Sequence, residues 1–381
     1  MKNYQKISSR IMIAVFVLFI FGFAIAGLIS PDREFSEMEN RNLAQFPKFS
    51  FKALKSGDYT AGIESYMSDQ VFLKDKLVAL KTDCERAVLK SSQNGVYLCS
   101  DGYYLQQYIE NKAQIDKNIG FINDFAESLN DVECDFILAP NAVSVLSNKL
   151  PKFAVNDNQL DSIKHIKSTL SSKVELFSAY DTLKAKADKN EQVYYKTDHH
   201  WNDNGAKSTF EAYLSSKGET PAELDFDKTI RRDDFYGTLY SKAPSAFTKP
   251  DTMILPDHKD KTHYVEYVNE KKTKGSIIDK SFIDKKDKYA AFLGGNFARV
   301  NIKSANSAED KKVLILKDSY ANCMIPYLAD QYSDLTIIDM RYYHFEEQTV
   351  SELVKNEGID RVIMIYNMDF INSDDNFLWL E

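Results

Sequence analysis

Cysteine is scarce in this 381-residue chain, with four copies at Cys84, Cys99, Cys134 and Cys323. None stands in a C-x-x-C pair or in a Cys/His spacing suited to zinc. A disulfide-stapled scaffold is therefore excluded, though one bridge, such as Cys84–Cys99, remains possible. Cys323 follows Ser319 by four residues and reads as a small buried hydrophobe. An excess of positive charge is also missing: 48 Lys and Arg face 56 Asp and Glu, a formal net charge of −8. A general nucleic-acid-binding surface calls for the opposite balance, so no nucleic-acid partner is expected. Histidine is rare, with six copies, and two of them are adjacent at His199-His200. With 44% hydrophobic and 27% charged residues, the composition excludes wholesale disorder and suits a large core.

Long apolar runs are absent except for one. Residues 11–29 read IMIAVFVLFIFGFAIAGLI, long enough to cross a hydrocarbon core of roughly 30 Å. Lys2, Lys6 and Arg10 precede the run, which puts the N-terminal tip in the cytoplasm and everything after residue 30 outside. A cleaved signal peptide is the rival reading, because Ala24-Ile25-Ala26 resembles a small-residue cleavage site. The run exceeds the ~7–15-residue apolar region of such peptides, which favours an uncleaved anchor. Either way the main domain crosses the membrane. The expected organisation is a tip and anchor over 1–30, a juxtamembrane segment with helix and hairpin over 31–105, and an α/β domain over 106–381.

Residues 61–90 carry helical spacing, and Ser100-Asp101-Gly102 between two apolar pieces signals a hairpin. The pattern then alternates. Helices are predicted over 111–130, 159–173, 204–217, 319–331 and 350–356. Strands are predicted over 134–139, 174–180, 192–197, 312–317, 335–340 and 361–366. Such alternation predicts a parallel sheet sandwiched by helices, with any active site at the carboxyl ends of its strands. Residues 257–288 break the rhythm. Their lysines (259, 261, 271, 272, 274, 280, 285, 286 and 288) mixed with acids read as a solvated insertion.

Three predicted strand ends carry polar clusters: residues 197–202 (TDHHWN), 317–320 (KDSY) and 366–369 (YNMD). A serine hydroxyl becomes a nucleophile only when a base takes its proton and a carboxylate orients that base. Ser319 stands at a strand-to-helix corner, where its hydroxyl is exposed and its backbone N–H can face an oxyanion. Asp198 and His200 are two apart in a segment read as extended, so both side chains can point one way. Asn367 is the expected second oxyanion donor, with Arg341 or Tyr320 as alternatives. The plainer readings are helix caps for Asp198 and Ser319 and a satisfied core residue for the histidine. Asp198, His199 and His200 also resemble the Asp-His-His core of manganese phosphoesterases. No further ligand cluster accompanies them, and neighbours in a strand face opposite ways, so no metal and no cofactor are expected.

TDHHWN resembles the signature of the DHHW family of bacterial membrane-anchored proteins. EFSEMENRNLAQFPKFS, GVYLCSDGYYL, FYGTLYSKAP and KVLILKDSYAN look like the same family, so the likeness covers nearly the whole chain. The family is similar in turn to SGNH-like proteins that O-acetylate alginate and other exopolysaccharides. The resemblance implies an SGNH-hydrolase-like, flavodoxin-like fold, with Ser319 as nucleophile, His200 as base and Asp198 as the acid that holds it. Trp201 then packs to fix the loop beside His199. Lys317 stands where the usual serine motif has glycine, which alters the backbone around the oxyanion site. The implied activity is O-acyl transfer to, or removal from, a cell-surface polysaccharide. A transferase would draw acyl groups from a multi-pass membrane-bound O-acyltransferase, whereas an esterase needs no partner. The alternatives are a non-catalytic polysaccharide-binding module and a metal-dependent phosphoesterase.

Overall fold

The computed structural model describes residues 2–39, 41–129, 131–223, 226–258, 263–268, 270, 272–274, 276–344 and 348–380. The chain forms two compact units, residues 1–90 with 243–247 and residues 91–242 with 248–381. The first unit holds α1 (Lys2–Ile29), α2 (Asp58–Asp69) and α3 (Lys74–Ala87). Residues 4–29 of α1 are long and apolar enough to cross a membrane, a test that a signal sequence also passes. Asp69 ties the unit together by accepting from the Arg41 guanidinium, the Lys74 ammonium and the Ala44 N–H.

The second unit is built on an eight-stranded sheet. Its strands are β1 (Glu133–Ala139), β2 (Val174–Ser178), β3 (His263–Tyr267), β4 (Lys272–Lys274), β5 (Arg299–Ser304), β6 (Glu309–Lys317), β7 (Tyr332–Ile338) and β8 (Arg361–Asn367). They lie in the order β4-β3-β5-β7-β6-β8-β1-β2. The five from β7 to β2 are parallel, with Ile315 of β6 opposite Ile337 on one side and Ile363 on the other. Every residue of β8 is buried, as expected of a parallel strand covered on both faces. The helices that accompany these strands are α4 (Lys112–Ser128), α5 (Gln159–Thr169), α6 (Asp203–Ser216), α7 (Ile325–Gln331), α8 (Val350–Glu357) and α9 (Met368–Ser373). In α4 the residues Ile115, Ile119, Ile122 and Phe125 form one buried stripe at helical spacing. The hairpin at Ser100–Gly102 is present, joining antiparallel strands Val96–Leu98 and Tyr104–Gln106.

Three features differ from the sequence expectation. Residues 192–197 form no sheet strand; their only pairing is the bridge from Tyr194 to Trp201. Val193, Tyr194 and Tyr195 are buried there, and the Asp251 carboxylate accepts the Lys196 and Thr197 N–H groups at 2.8 and 2.7 Å. A side chain thus takes the place of a neighbouring strand. Second, the sheet is mixed rather than purely parallel. Strands β3, β4 and β5 extend its β7 edge antiparallel.

Third, the lysine-rich stretch is no solvated insertion. Within it Val265 and Tyr267 are buried while Tyr264 is exposed, and Ile277 and Ile278 are buried. The lysines on either side obscure the short alternating strand His263–Tyr267. Lys259, Lys261 and Lys271 lie outside the described residues. All four cysteines are free.

Candidate active site

Strand β6 ends at Lys317, and the chain turns at once into a short 3-10 segment, Ser319–Cys323. Asp318 is the cap: its side chain accepts from the Tyr320 N–H at 2.7 Å. The cap is therefore not Ser319, whose hydroxyl lies 2.9 Å from His200 Nε2. His200 Nδ1 lies 2.5 Å from Asp198 Oδ1. An ionised carboxylate only accepts, so Nδ1 carries the hydrogen and Nε2 is left to accept from the serine hydroxyl.

Asp198 and His200 meet through a local turn rather than an extended strand. The His200 N–H donates back to Asp198 Oδ1 at 3.0 Å, the side-chain-to-backbone bond that favours Asp in turns. The second carboxylate oxygen accepts from the Thr238 N–H at 2.7 Å and the Thr238 hydroxyl at 3.0 Å. Burial alone would push the Asp198 carboxyl up. The neighbouring imidazoles of His199 and His200 and these hydrogen bonds outweigh it and hold the group well below the usual carboxylate range. The helix cap expected of Asp198 is supplied instead by Asn202, which accepts from Gly205.

Aromatic rings fix the histidine. Tyr289 stacks face to face on His200, with centroids 3.8 Å apart and planes 8° apart. Its hydroxyl donates to the Ser319 carbonyl at 2.9 Å. Trp201 is fully buried and donates its indole N–H to the Tyr320 carbonyl at 2.8 Å. One ring nitrogen thus links the TDHHW turn to the serine turn. The family model for DHHW proteins matches residues 80–338, more than half of the chain.

The chain belongs to the DHHW protein family. Among solved structures it is similar to a DHHW family protein from Eubacterium siraeum, at 24% identity and a TM-score of 0.64, over 76% of this chain and 95% of that one. It is also similar to PatB1 from Bacillus cereus, solved with a sulfonyl adduct, at 19% identity and a TM-score of 0.62, over 76% of this chain and 100% of that one. These are likenesses of fold. No curated protein sequence matches.

In this DHHW protein the remaining predicted site residues have other partners. The Asn367 amide donates to Asp318 Oδ2 at 2.6 Å, and its oxygen caps α9 by accepting from Asp369 and Phe370. Arg341 grips Asp339 with two nitrogens, at 2.8 and 2.5 Å. The Tyr320 hydroxyl donates to the His199 carbonyl. All three expected oxyanion donors therefore have partners of their own. Lys317 is buried, with its ammonium 3.3 Å from Asp339 Oδ2 and 3.2 Å from Asn296 Oδ1. Burial pushes that ammonium down and Asp339 opposes the shift.

The expectation that His199 and His200 face opposite ways fails, because the segment is a turn. Their rings lie 3.8 Å apart, and Asp198, His199 and His200 offer ligand atoms within 4.8 Å of one another. These atoms already have partners: His199 Nδ1 sits 2.6 Å from the Thr238 hydroxyl. A metal there would have to displace the bonds that orient His200. Residue patterns alone did not single out Thr238 or Tyr289. Thr238 lies in FYGTLYSKAP, a stretch that stood out only through the family likeness, and Tyr289 lies at the end of the lysine-rich stretch.

Proposed function

We propose that this protein is a membrane-anchored extracytoplasmic SGNH-like enzyme that moves O-acyl groups, most simply acetyl, onto or off a cell-surface polysaccharide. One observation carries the reading: the unbroken hydrogen-bonded line from Asp198 through His200 to Ser319. In this mechanism Ser319 Oγ attacks the acyl carbonyl carbon while its proton passes to His200 Nε2. The imidazolium is stabilised by Asp198, which stays ionised. Collapse of the tetrahedral intermediate breaks the bond to the donor oxygen, which leaves with the proton from His200. A sugar hydroxyl then attacks the acyl-serine and gives its proton to His200, which passes it to Ser319 Oγ as the acyl–oxygen bond to the serine breaks. Water in place of the sugar makes the same site an esterase. The Ser319 backbone N–H is the donor best suited to the oxyanion.

Topology supports the SGNH-like, flavodoxin-like assignment. If β6 is numbered first, followed by β7, β8, β1 and β2, the spatial order of the parallel strands becomes 2-1-3-4-5, the flavodoxin-like order. The chain then enters the fold at the fourth strand. The Asp198–His200 turn follows the fifth strand in space yet precedes Ser319 in sequence. Residue 30 onward lies outside the cytoplasm in this reading, where acyl-CoA is absent. A transferase would then take its acyl group from a multi-pass membrane-bound O-acyltransferase.

The test is turnover of p-nitrophenyl acetate by the detergent-solubilised full chain. The expected result is nitrophenolate release that falls by about 10³-fold or more in Ser319→Ala and His200→Ala. Release that is equal in all three proteins would overturn the reading.

A further inference from the structure

A cleft of about 230 Å³ includes Asn296, which bonds the residues on either side of Ser319. Its walls include Tyr267, Phe297 and Tyr342, together with the polar side chains of Asn296, Arg299 and Glu270. The sheet register locates it. Arg299 opens β5 and pairs with Ile338, the last residue of β7, so the cleft sits at the carboxyl end of β7. Ser319 follows the carboxyl end of β6, the adjoining strand. Asn296 spans the short gap: its Oδ1 accepts from Lys317 Nζ at 3.2 Å and from Asn322 Nδ2 at 3.0 Å. Lys317 and Asn322 flank Ser319 on either side.

The lining narrows the ligand chemistry. Tyr342 is 50% exposed, and the Phe297 and Tyr267 rings meet edge to face at 4.5 Å. The Arg299 guanidinium is committed to Glu357 at 2.6 Å and to Asn301 at 3.0 Å, so it offers little attraction to a phosphate. Flat aromatic faces next to an amide and a carboxylate suit a small ring with one apolar face and hydroxyls on its edge. The volume falls below the roughly 300–1,000 Å³ of sites for drug-sized ligands, which fits a single ring rather than an extended chain.

We infer that this cleft is an acceptor subsite that holds one sugar ring of the glycan while a neighbouring hydroxyl reaches the acylated Ser319. The inference rests on the acyl-transfer reading above and adds where the acceptor binds. The test is saturation-transfer-difference NMR on the detergent-solubilised full chain with cellotetraose, chitotetraose and mannotetraose, repeated with Tyr342→Ala and Phe297→Leu. At least one sugar is expected to bind, with dissociation constants about tenfold weaker in both variants and unfolding midpoints near wild type. Binding of none of the three, or binding unchanged in both variants, would overturn the subsite. Nitrophenolate release by the wild type separates the two claims. Release without sugar binding leaves the serine chemistry standing and removes the subsite. Sugar binding without release removes the serine chemistry and, with it, the acceptor role, and leaves only a sugar-binding cleft.

Discussion

A methyl group on residue 237 would fall 2.2 Å from Asp198 Cβ and 2.3 Å from its Oδ2. Only glycine lets the backbone pass there, and that close approach delivers the Thr238 N–H to the carboxylate. Gly237→Ala is therefore expected to cost about 1–3 kcal/mol in denaturant unfolding and to lower esterase turnover with it. Asp198→Asn should fold with reduced stability at neutral pH and cut turnover by about 10⁴-fold, because an amide donor at this position favours the wrong histidine tautomer. The same variant has a pH signature. The folded Asp198 carboxyl is held below its unfolded value of about 3.9, so its ionisation stabilises the fold above that value. That contribution is lost as pH falls from about 4 toward the folded value. Below pH 4 the wild type should thus lose stability faster than Asp198→Asn, and parallel slopes in acid unfolding would contradict the assignment.

The 3-10 segment around Tyr289 brings a ring from the lysine-rich stretch onto His200. Tyr289→Phe keeps the stacked ring and loses only the bond to the Ser319 carbonyl, so turnover should stay within about threefold of wild type. Tyr289→Ala removes a buried ring and should cost about 3–5 kcal/mol of stability, with a larger fall in turnover. Equal turnover in the two variants would show that the stack does not position the imidazole. The grouping of Asp198, His200 and Ser319 was legible in sequence because the proposed chemistry admits few residue types and all three stand in short polar clusters. Thr238 was not, since half of its contribution is a backbone N–H that any residue supplies. The buried apolar strands β1, β6 and β8 were equally legible. Strands β3 and β4 were hidden because they are short, five and three residues, and the lysines around and within them give the stretch a polar composition. Residues 192–197 misled in the opposite sense: β-prone residues are buried there by side-chain partners rather than by a ladder.

At the scale of the whole molecule, the apolar helix α1 and the permuted strand order carry the largest consequences. A retained anchor predicts that the protein stays with the membrane pellet after a high-salt or alkaline wash and keeps its N-terminal residues by mass. A mature chain beginning just after Ala26 would show a cleaved signal sequence instead. In the proposed reading, the strand order places a turn near residue 200 beside a serine more than a hundred positions later, and the central claim is an activated Ser319. The most direct measurement is peptide mass mapping of the full-length protein after treatment with a sulfonyl fluoride, beside His200→Ala. The account predicts one adduct, on Ser319, formed at least about a hundredfold more slowly in His200→Ala. An unmodified Ser319, or modification at the same rate without His200, would contradict it.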